Sequence, residues 1–363
     1  MIRRLTLAPA LIALLAAIAF AADFTTPYVL AFYYSWYRTP FYSGFWAHWN
    51  GSGHNPDEFV EPGRRDIPAA HYPASDVYDS LDPETIARQI EESKEAGING
   101  WIVSWWGKSD NGVPTILEYL SKNPSDIKIS IYYEIVPGCG GSDYLCSGVP
   151  SVEKIRAVED DLLYIIDNFG SHPNFLKFGS RPVIFVYTRA IAQAYFVWHR
   201  IISDLRSLRA FYISGDSNLT VTDFIIFRDF DQIHFYNPAW QIQKLGFDSL
   251  DYCSYVERAR ARGFDVTLTV IPGYDDTALT DRPGTFVIDR QDGGLYQALW
   301  DISISCKPDW ILITSFNEWH EGTEIEPSVE YQDQYIEITK ANSKRFKFLS
   351  NLKLVLRRLD NYE

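Results

Sequence analysis

Eight short apolar runs, spread through one chain with helix-like stretches between them, leave few folds open. They fall at residues 28–34, 100–106, 127–133, 182–187, 210–213, 232–236, 266–271 and 310–315. Each is almost continuously apolar rather than alternating, as expected of strands covered on both faces, which are parallel strands flanked by helices. Eight such units are what a closed parallel barrel needs, so the fold class expected is α/β, a single-domain (β/α)8 TIM barrel. The clearest helix starts with Asp82 as N-cap and Pro83 in its first turn, runs through Ile86 and Ile90, and stops at Gly97. Others are read at 152–168, 191–208, 250–262 and 294–306. Between strands five and six, residues 218–231 offer a short helix at most.

The N-terminus reads as an export signal. Met1-Ile2-Arg3-Arg4 is basic, Leu5 to Phe20 is apolar but short for a bilayer, and Ala19-Phe20-Ala21 is a small-x-small cleavage pattern. The division expected is a secretory signal peptide at 1–22 and a catalytic barrel at 23–363, with a helical C-terminal segment at about 330–358. No linker, repeat or low-complexity segment divides that body. A secreted or cell-surface protein follows, without stable membrane insertion once the signal is cleaved. Cys139 and Cys146 bracket a Gly-rich loop and could close a short disulfide, whereas Cys253 and Cys306 sit in helix-like surroundings, and the four are not metal-spaced. A net charge of −14 argues against nucleic acid and anionic membranes as partners. Nothing in the sequence fixes the oligomeric state, and a monomer is the expectation. The tail at 343–358 places Phe346, Leu349, Leu352, Val355 and Leu356 on one side, a surface helix packed on the barrel.

In a parallel barrel the chemistry belongs at the C-terminal strand ends. There the sequence puts Tyr33-Tyr34-Ser35-Trp36-Tyr37, Ser104-Trp105-Trp106-Gly107, Tyr133-Glu134, Tyr187, Phe235-Tyr236-Asn237 and Pro272-Gly273-Tyr274-Asp275-Asp276. The last strand delivers Asn317-Glu318-Trp319-His320-Glu321. An aromatic-walled acidic cleft suits a sugar, whose CH faces pack on rings and whose hydroxyls need a few aimed acceptors. Aromatic residues make up 15% of the chain, so many must be core, and Trp101 and Trp310, lying inside strands, are assigned to packing. Glu318 and Glu321 suit a paired acid and base, with an oligosaccharide or polysaccharide as substrate. Glu324 and Glu326 read instead as loop-solvating or helix-capping residues. A metal is not expected: His320-Glu321-Gly322-Thr323-Glu324 lacks the second His of a zinc helix. Cofactors are not expected either, since no Gly-rich phosphate loop follows a strand and no Ser stands in a nucleophile elbow. Asn50-Gly51-Ser52 and Asn218-Leu219-Thr220 are glycosylation sequons of the kind that chance produces often.

These motifs, taken in order, resemble glycoside hydrolase family 99, the endo-acting α-mannosidases and α-mannanases. The resemblance is carried by Phe32-Tyr33-Tyr34-Ser35-Trp36-Tyr37, Trp46-Ala47-His48-Trp49-Asn50, His71-Tyr72-Pro73, Ser104-Trp105-Trp106, Tyr133-Glu134, Pro272-Gly273-Tyr274-Asp275-Asp276-Thr277 and the run from Ser315 to Pro327. It implies a retaining, metal-independent barrel enzyme. Glu318 would be the base that deprotonates the substrate 2-hydroxyl to form a 1,2-anhydro sugar, and Glu321 the acid that protonates the leaving oxygen. It also implies that Tyr34, Trp36, Trp106, Glu134, Tyr236, Tyr274 and Asn317 bind substrate, with Trp106 stacking on the sugar beyond the cleaved one and marking a mannan-cutting type. Two other readings stay open: an α-1,3-glucanase-like hydrolase, and a non-catalytic glycan-binding barrel.

Overall fold

The computed structural model describes residues 27–360, with side chains up to residue 352; the segment at 1–22 expected to be a signal peptide lies outside the described residues. All eight expected strands form: β1 (Val29–Tyr33), β2 (Gly100–Trp105), β3 (Lys128–Tyr133), β4 (Arg181–Val186), β5 (Tyr212–Asp216), β6 (Gln232–His234), β7 (Asp265–Val270) and β8 (Trp310–Ile313). All eight pair in parallel, β1 sits between β2 and β8, and β3 against β4 completes the ring. The register is explicit at β1, where Ala31 lies opposite Trp101 on one side and Ile313 on the other.

Alternation along each strand divides the core in two. Leu30, Phe32, Ile102, Tyr132, Phe185, Tyr212, Trp310 and Leu312 fill the barrel, while Val29, Ala31, Tyr33, Trp101 and Ile311 belong to the larger layer beneath the helices. Trp101 and Trp310 are both fully buried, Trp101 stacked on Tyr33 at 4.2 Å. This double burial explains why the strands read as unbroken apolar runs.

The outer elements are α1 (Pro83–Glu95), α2 (Gly112–Lys122), α3 (Ser151–Phe169), α4 (Thr188–Gln193), α5 (Trp198–Arg206), α6 (Ala239–Leu245), α7 (Tyr252–Arg260), α8 (Gly294–Cys306) and α9 (Gln334–Asp360). Asp82 caps α1 by accepting from the Glu84 amide at 3.0 Å, as its sequence indicates. The expected helix at 191–208 is two helices, because the chain turns to bury Trp198, whose indole donates to the Ile191 carbonyl at 3.2 Å, and leaves Tyr195 and Phe196 outside. Helix α2 was not read from the sequence, although Val113, Ile116, Leu117 and Leu120 give it a buried face. Between β5 and β6 there is one 3-10 turn, Ile225–Phe227. Phe227 and Phe230 pack so closely on the backbone of Gly215 that a Cβ there would meet their rings at 2.8 and 2.9 Å, so two rings cover β5 where a helix would otherwise lie.

Disulfides join Cys139 to Cys146 and Cys253 to Cys306, the second tying α7 to α8. Tyr335, Ile336 and Phe346 bury α9, whereas Leu349 and Leu352 on the expected apolar side are partly exposed and the side chains of Val355 and Leu356 lie outside the described residues. Among the described residues no helix is long and apolar enough to cross a membrane.

Candidate active site

The loop after β8 is built rigidly before it presents any chemistry. Asn317 is fully buried and clasps the backbone of Tyr34 at both ends, accepting from its amide at 2.8 Å and donating to its carbonyl at 2.9 Å. Trp319 donates through its indole to Tyr78 at 3.0 Å and to Glu326 at 3.2 Å, and its amide reaches the Tyr37 hydroxyl at 3.1 Å. Gly322 has φ +58°, and a Cβ there would meet the Asp275 carbonyl at 2.8 Å, so a residue without a side chain lets the loop turn back against its neighbour. The Glu318 amide donates to Ser315 at 2.7 Å, and one Glu318 carboxylate oxygen accepts from the His320 amide at 3.2 Å. What the loop leaves for the cleft is a pair of carboxylates.

Glu318 is 3% exposed. Burial holds its carboxyl well above the usual carboxylate range, and the charges of Glu321 and Glu134 add to the effect. Burial raises Glu321 too, opposed by the Arg282 guanidinium, whose nitrogens lie 3.3 and 3.4 Å from one oxygen. Glu318 is thus the more deeply buried acid, whereas the Glu321 side chain is 20% exposed, and the Glu321 charge adds to the resistance of Glu318 to ionise. The Tyr236 hydroxyl reaches Glu321 at 3.4 Å and Tyr34 at 2.6 Å. Tyr34, held protonated by burial, lies within the fields of Glu318, Glu134 and Glu321.

A second assembly stands at the ends of β2 and β3. The Trp106 indole donates to Ser104 at 3.0 Å, and Ser104 donates to Glu134 at 2.8 Å. Arg189, 3.6 Å from Glu134, lies over the Trp106 ring at 5.0 Å. Burial pushes Glu134 up to about 7, with Ser104 and Arg189 working against it. Trp105 is buried as core, but its neighbour Trp106 is 40% exposed. Trp36 lies parallel to His48 at 4.4 Å and shares with Trp106 the lining of a cavity of about 550 Å³. Another cavity, about 540 Å³, is lined by Tyr236, Tyr274, Arg282 and Glu321. Tyr274 stacks on Phe286 at 4.5 Å and donates to Asp276 at 3.1 Å.

Of the residues expected to bind substrate, Tyr34, Glu134 and Tyr236 stand near the carboxylate pair, Tyr236 and Tyr274 line the cavity of Glu321, and Trp36 and Trp106 line the other cavity. Asn317 is not among them: buried with its amide fully engaged, it braces β1 against β8 beneath the cleft. The reading of Glu324 and Glu326 as solvating residues is also corrected. Glu324 is fully buried against Arg290 and His71, and Glu326 accepts from Tyr78, Arg88 and Gln89 at 2.7 to 2.9 Å. Both anchor the loop from behind. Sequence reasoning passed over Ser104, Arg189 and Arg282. Ser104 stood in a motif already quoted, but Arg189 lies in the short helix α4 and Arg282 in a loop without periodicity, and only the fold brings them to the acids. Among the described residues no group of three or more His, Cys, Asp or Glu is placed to hold a metal ion.

Paired acids beside a ring-lined cavity, at the C-terminal face of a (β/α)8 barrel, define a glycoside hydrolase. Comparison with known proteins narrows the class: the model for Glycosyl hydrolase family 99 matches residues 25–349, and the chain belongs to that family. It is similar to the mouse glycoprotein endo-alpha-1,2-mannosidase, 27% identical over 87% of this chain and 74% of the mouse protein. The Xenopus laevis enzyme of the same name is also 27% identical, over 87% of this chain and 76% of its own. Among solved structures, the family 99 endo-alpha-mannosidase of Bacteroides thetaiotaomicron in complex with bis-tris-propane superposes with a TM-score of 0.70, at 25% identity, covering 88% of this chain and 97% of that one. The protein is thus an endo-acting glycoside hydrolase.

Proposed function

We propose that the protein cuts α-mannosidic linkages inside a mannan, with retention of configuration, through participation of the substrate 2-hydroxyl. The observation that carries this is the carboxylate pair on the loop after β8, Glu318 buried and Glu321 opening into a cavity walled by Tyr236 and Tyr274. The first step needs one ionised base and one protonated acid; in the free protein burial favours the proton on Glu318 and Arg282 favours charge on Glu321, so these roles require the proton to pass to Glu321 as substrate binds. Glu318 takes the proton of the 2-hydroxyl, whose oxygen attacks the anomeric carbon as Glu321 protonates the departing glycosidic oxygen. An α-mannoside carries that hydroxyl trans to the breaking bond, as internal displacement requires. In the second step Glu321 takes a proton from water, the water oxygen opens the 1,2-anhydro ring at the anomeric carbon, and Glu318 returns its proton to the 2-oxygen. Two inversions give net retention.

The relatives named for endo-α-mannosidase activity support an α-mannoside at the cleaved position. Trp106, rather than a smaller ring, supports a mannose stacked on the side away from the leaving group. The basic-apolar leader in the sequence and the two disulfides support action outside the cytoplasm. The test is digestion of yeast mannan, α-1,3-glucan and a glucosylated high-mannose oligosaccharide side by side, followed by chromatography and early-time proton NMR. Mannobiose-sized or larger α products from mannan are expected. Release of single mannose units, an initial β product, or action on the glucan alone refutes the reading.

A further inference from the structure

The cavity that receives Glu321 extends well past the acid. Besides Tyr236, Tyr274 and Arg282, it is lined by Trp240 and Leu245 of α6 and by Asn218. Trp240 is 64% exposed, the largest apolar side chain a folded protein can leave in water, and Leu245 is exposed beside it. The helix that carries the ring is tethered. Asn237 accepts from the Ala239 amide at 2.7 Å at the start of α6, and Gln241 donates to the Ser249 carbonyl at 2.8 Å, so the helix is fastened on both sides of Trp240. Asn218 accepts from the amide and hydroxyl of Thr220 through its carbonyl oxygen, which leaves its NH2 group as a donor. An exposed indole on a tethered helix, with a spare amide donor and in one cavity with the acid, has the chemistry of a sugar platform.

We propose that Trp240, with Leu245 and Asn218, binds the hexose residues of the polymer that follow the scissile bond, and that this platform makes the enzyme prefer a long chain to a short oligosaccharide. The inference rests on the assignment of Glu321 as the acid, because that assignment makes this cavity the leaving-group side. The occupant is a carbohydrate rather than a protein or a second copy, since the ring shares one continuous cavity with Glu321.

The experiment compares wild type, Trp240→Ala and Trp240→Phe, produced in a host without N-glycosylation because Asn218-Leu219-Thr220 is a sequon inside this cavity. Initial rates are measured on α-mannan and on α-mannobiosyl fluoride, whose leaving group fills none of the far cavity. Trp240→Ala is expected to lose about 5- to 50-fold in kcat/KM on mannan, Trp240→Phe less, with the fluoride rate within about twofold of wild type. Unchanged kinetics on mannan, or equal losses on both substrates, overturns the platform. So does a change confined to oligomeric state by light scattering, which assigns the ring to contact between copies. A wild-type protein inactive on mannan refutes the underlying reading and the platform together, whereas an active wild type with an unaffected Trp240→Ala refutes the platform alone.

Discussion

Replacing Arg282 with Met tests whether the cleft works as a shared-proton pair. The guanidinium lies 3.3 Å from Glu321 and 3.3 Å from Asp276. Two unit charges at that separation attract by about 1.3 kcal/mol in water and by about 5 kcal/mol at an effective dielectric of ~20. Arg282 is 43% exposed, so solvent screens it and the low end applies, roughly 1 to 2 kcal/mol. At 1.36 kcal/mol per pH unit that is about one unit. The sign follows from the proton count. Activity needs the singly protonated pair, so the alkaline limb of the profile marks loss of its last proton, and removing a nearby cation makes that proton harder to lose. Arg282→Met should therefore move the alkaline limb of kcat/KM up by about one unit, and Arg282→Lys should restore most of it. The assay is initial rates at low substrate concentration from about pH 4 to about pH 10. An alkaline limb that stays in place or moves down, or a uniform loss with no shift that Lys does not rescue, refutes the reasoning.

Three further outcomes are expected. Glu318→Gln and Glu321→Gln keep shape but remove proton transfer, and each should lower the rate on mannan by roughly two or more orders of magnitude; near-normal turnover by Glu321→Gln removes it from the acid role. Trp106→Ala should weaken oligosaccharide binding by about 1 to 3 kcal/mol with little change in melting temperature, since the ring is part of the surface, and calorimetric titration with a thermal melt decides this. Glu134 has a folded pKa of about 7 against an ordinary 4.5, so its burial costs nothing below about pH 4.5 and up to ~3 kcal/mol above about pH 7. Glu134→Gln should accordingly raise the melting temperature at pH 8 but not at about pH 4, while oligosaccharide affinity falls; a gain confined to acid pH inverts the argument.

The barrel was legible because burial on both faces writes itself into the strands as unbroken apolar runs, and all eight were in place within a few residues. Helix α1 was legible for another local reason, a cap, a proline and a stop that act within one turn. The helix expected at 191–208 was misread because the burial of Trp198, a tertiary event, breaks a pattern that local propensity would continue. Glu318 and Glu321 were legible as a candidate pair, since two acids beside Asn317 and Trp319 make poor solvated loop. The sequence alone thus determined the architecture and, within it, the strand ends and the two acids that make the candidate site. Only the tertiary structure decided which neighbours serve them. Asn317 turned out to be a brace, Glu324 and Glu326 buried anchors, and Cys253 a partner of Cys306 from 53 residues away. Arg282 comes to the acid from a loop 39 residues earlier, and Arg189 meets Trp106 only because β2, β3 and β4 lie side by side in the barrel. Periodicity and capping act between residues close in sequence and leave a mark there, whereas electrostatic and stacking partners are set by distance in space, which the chain acquires only when the barrel closes.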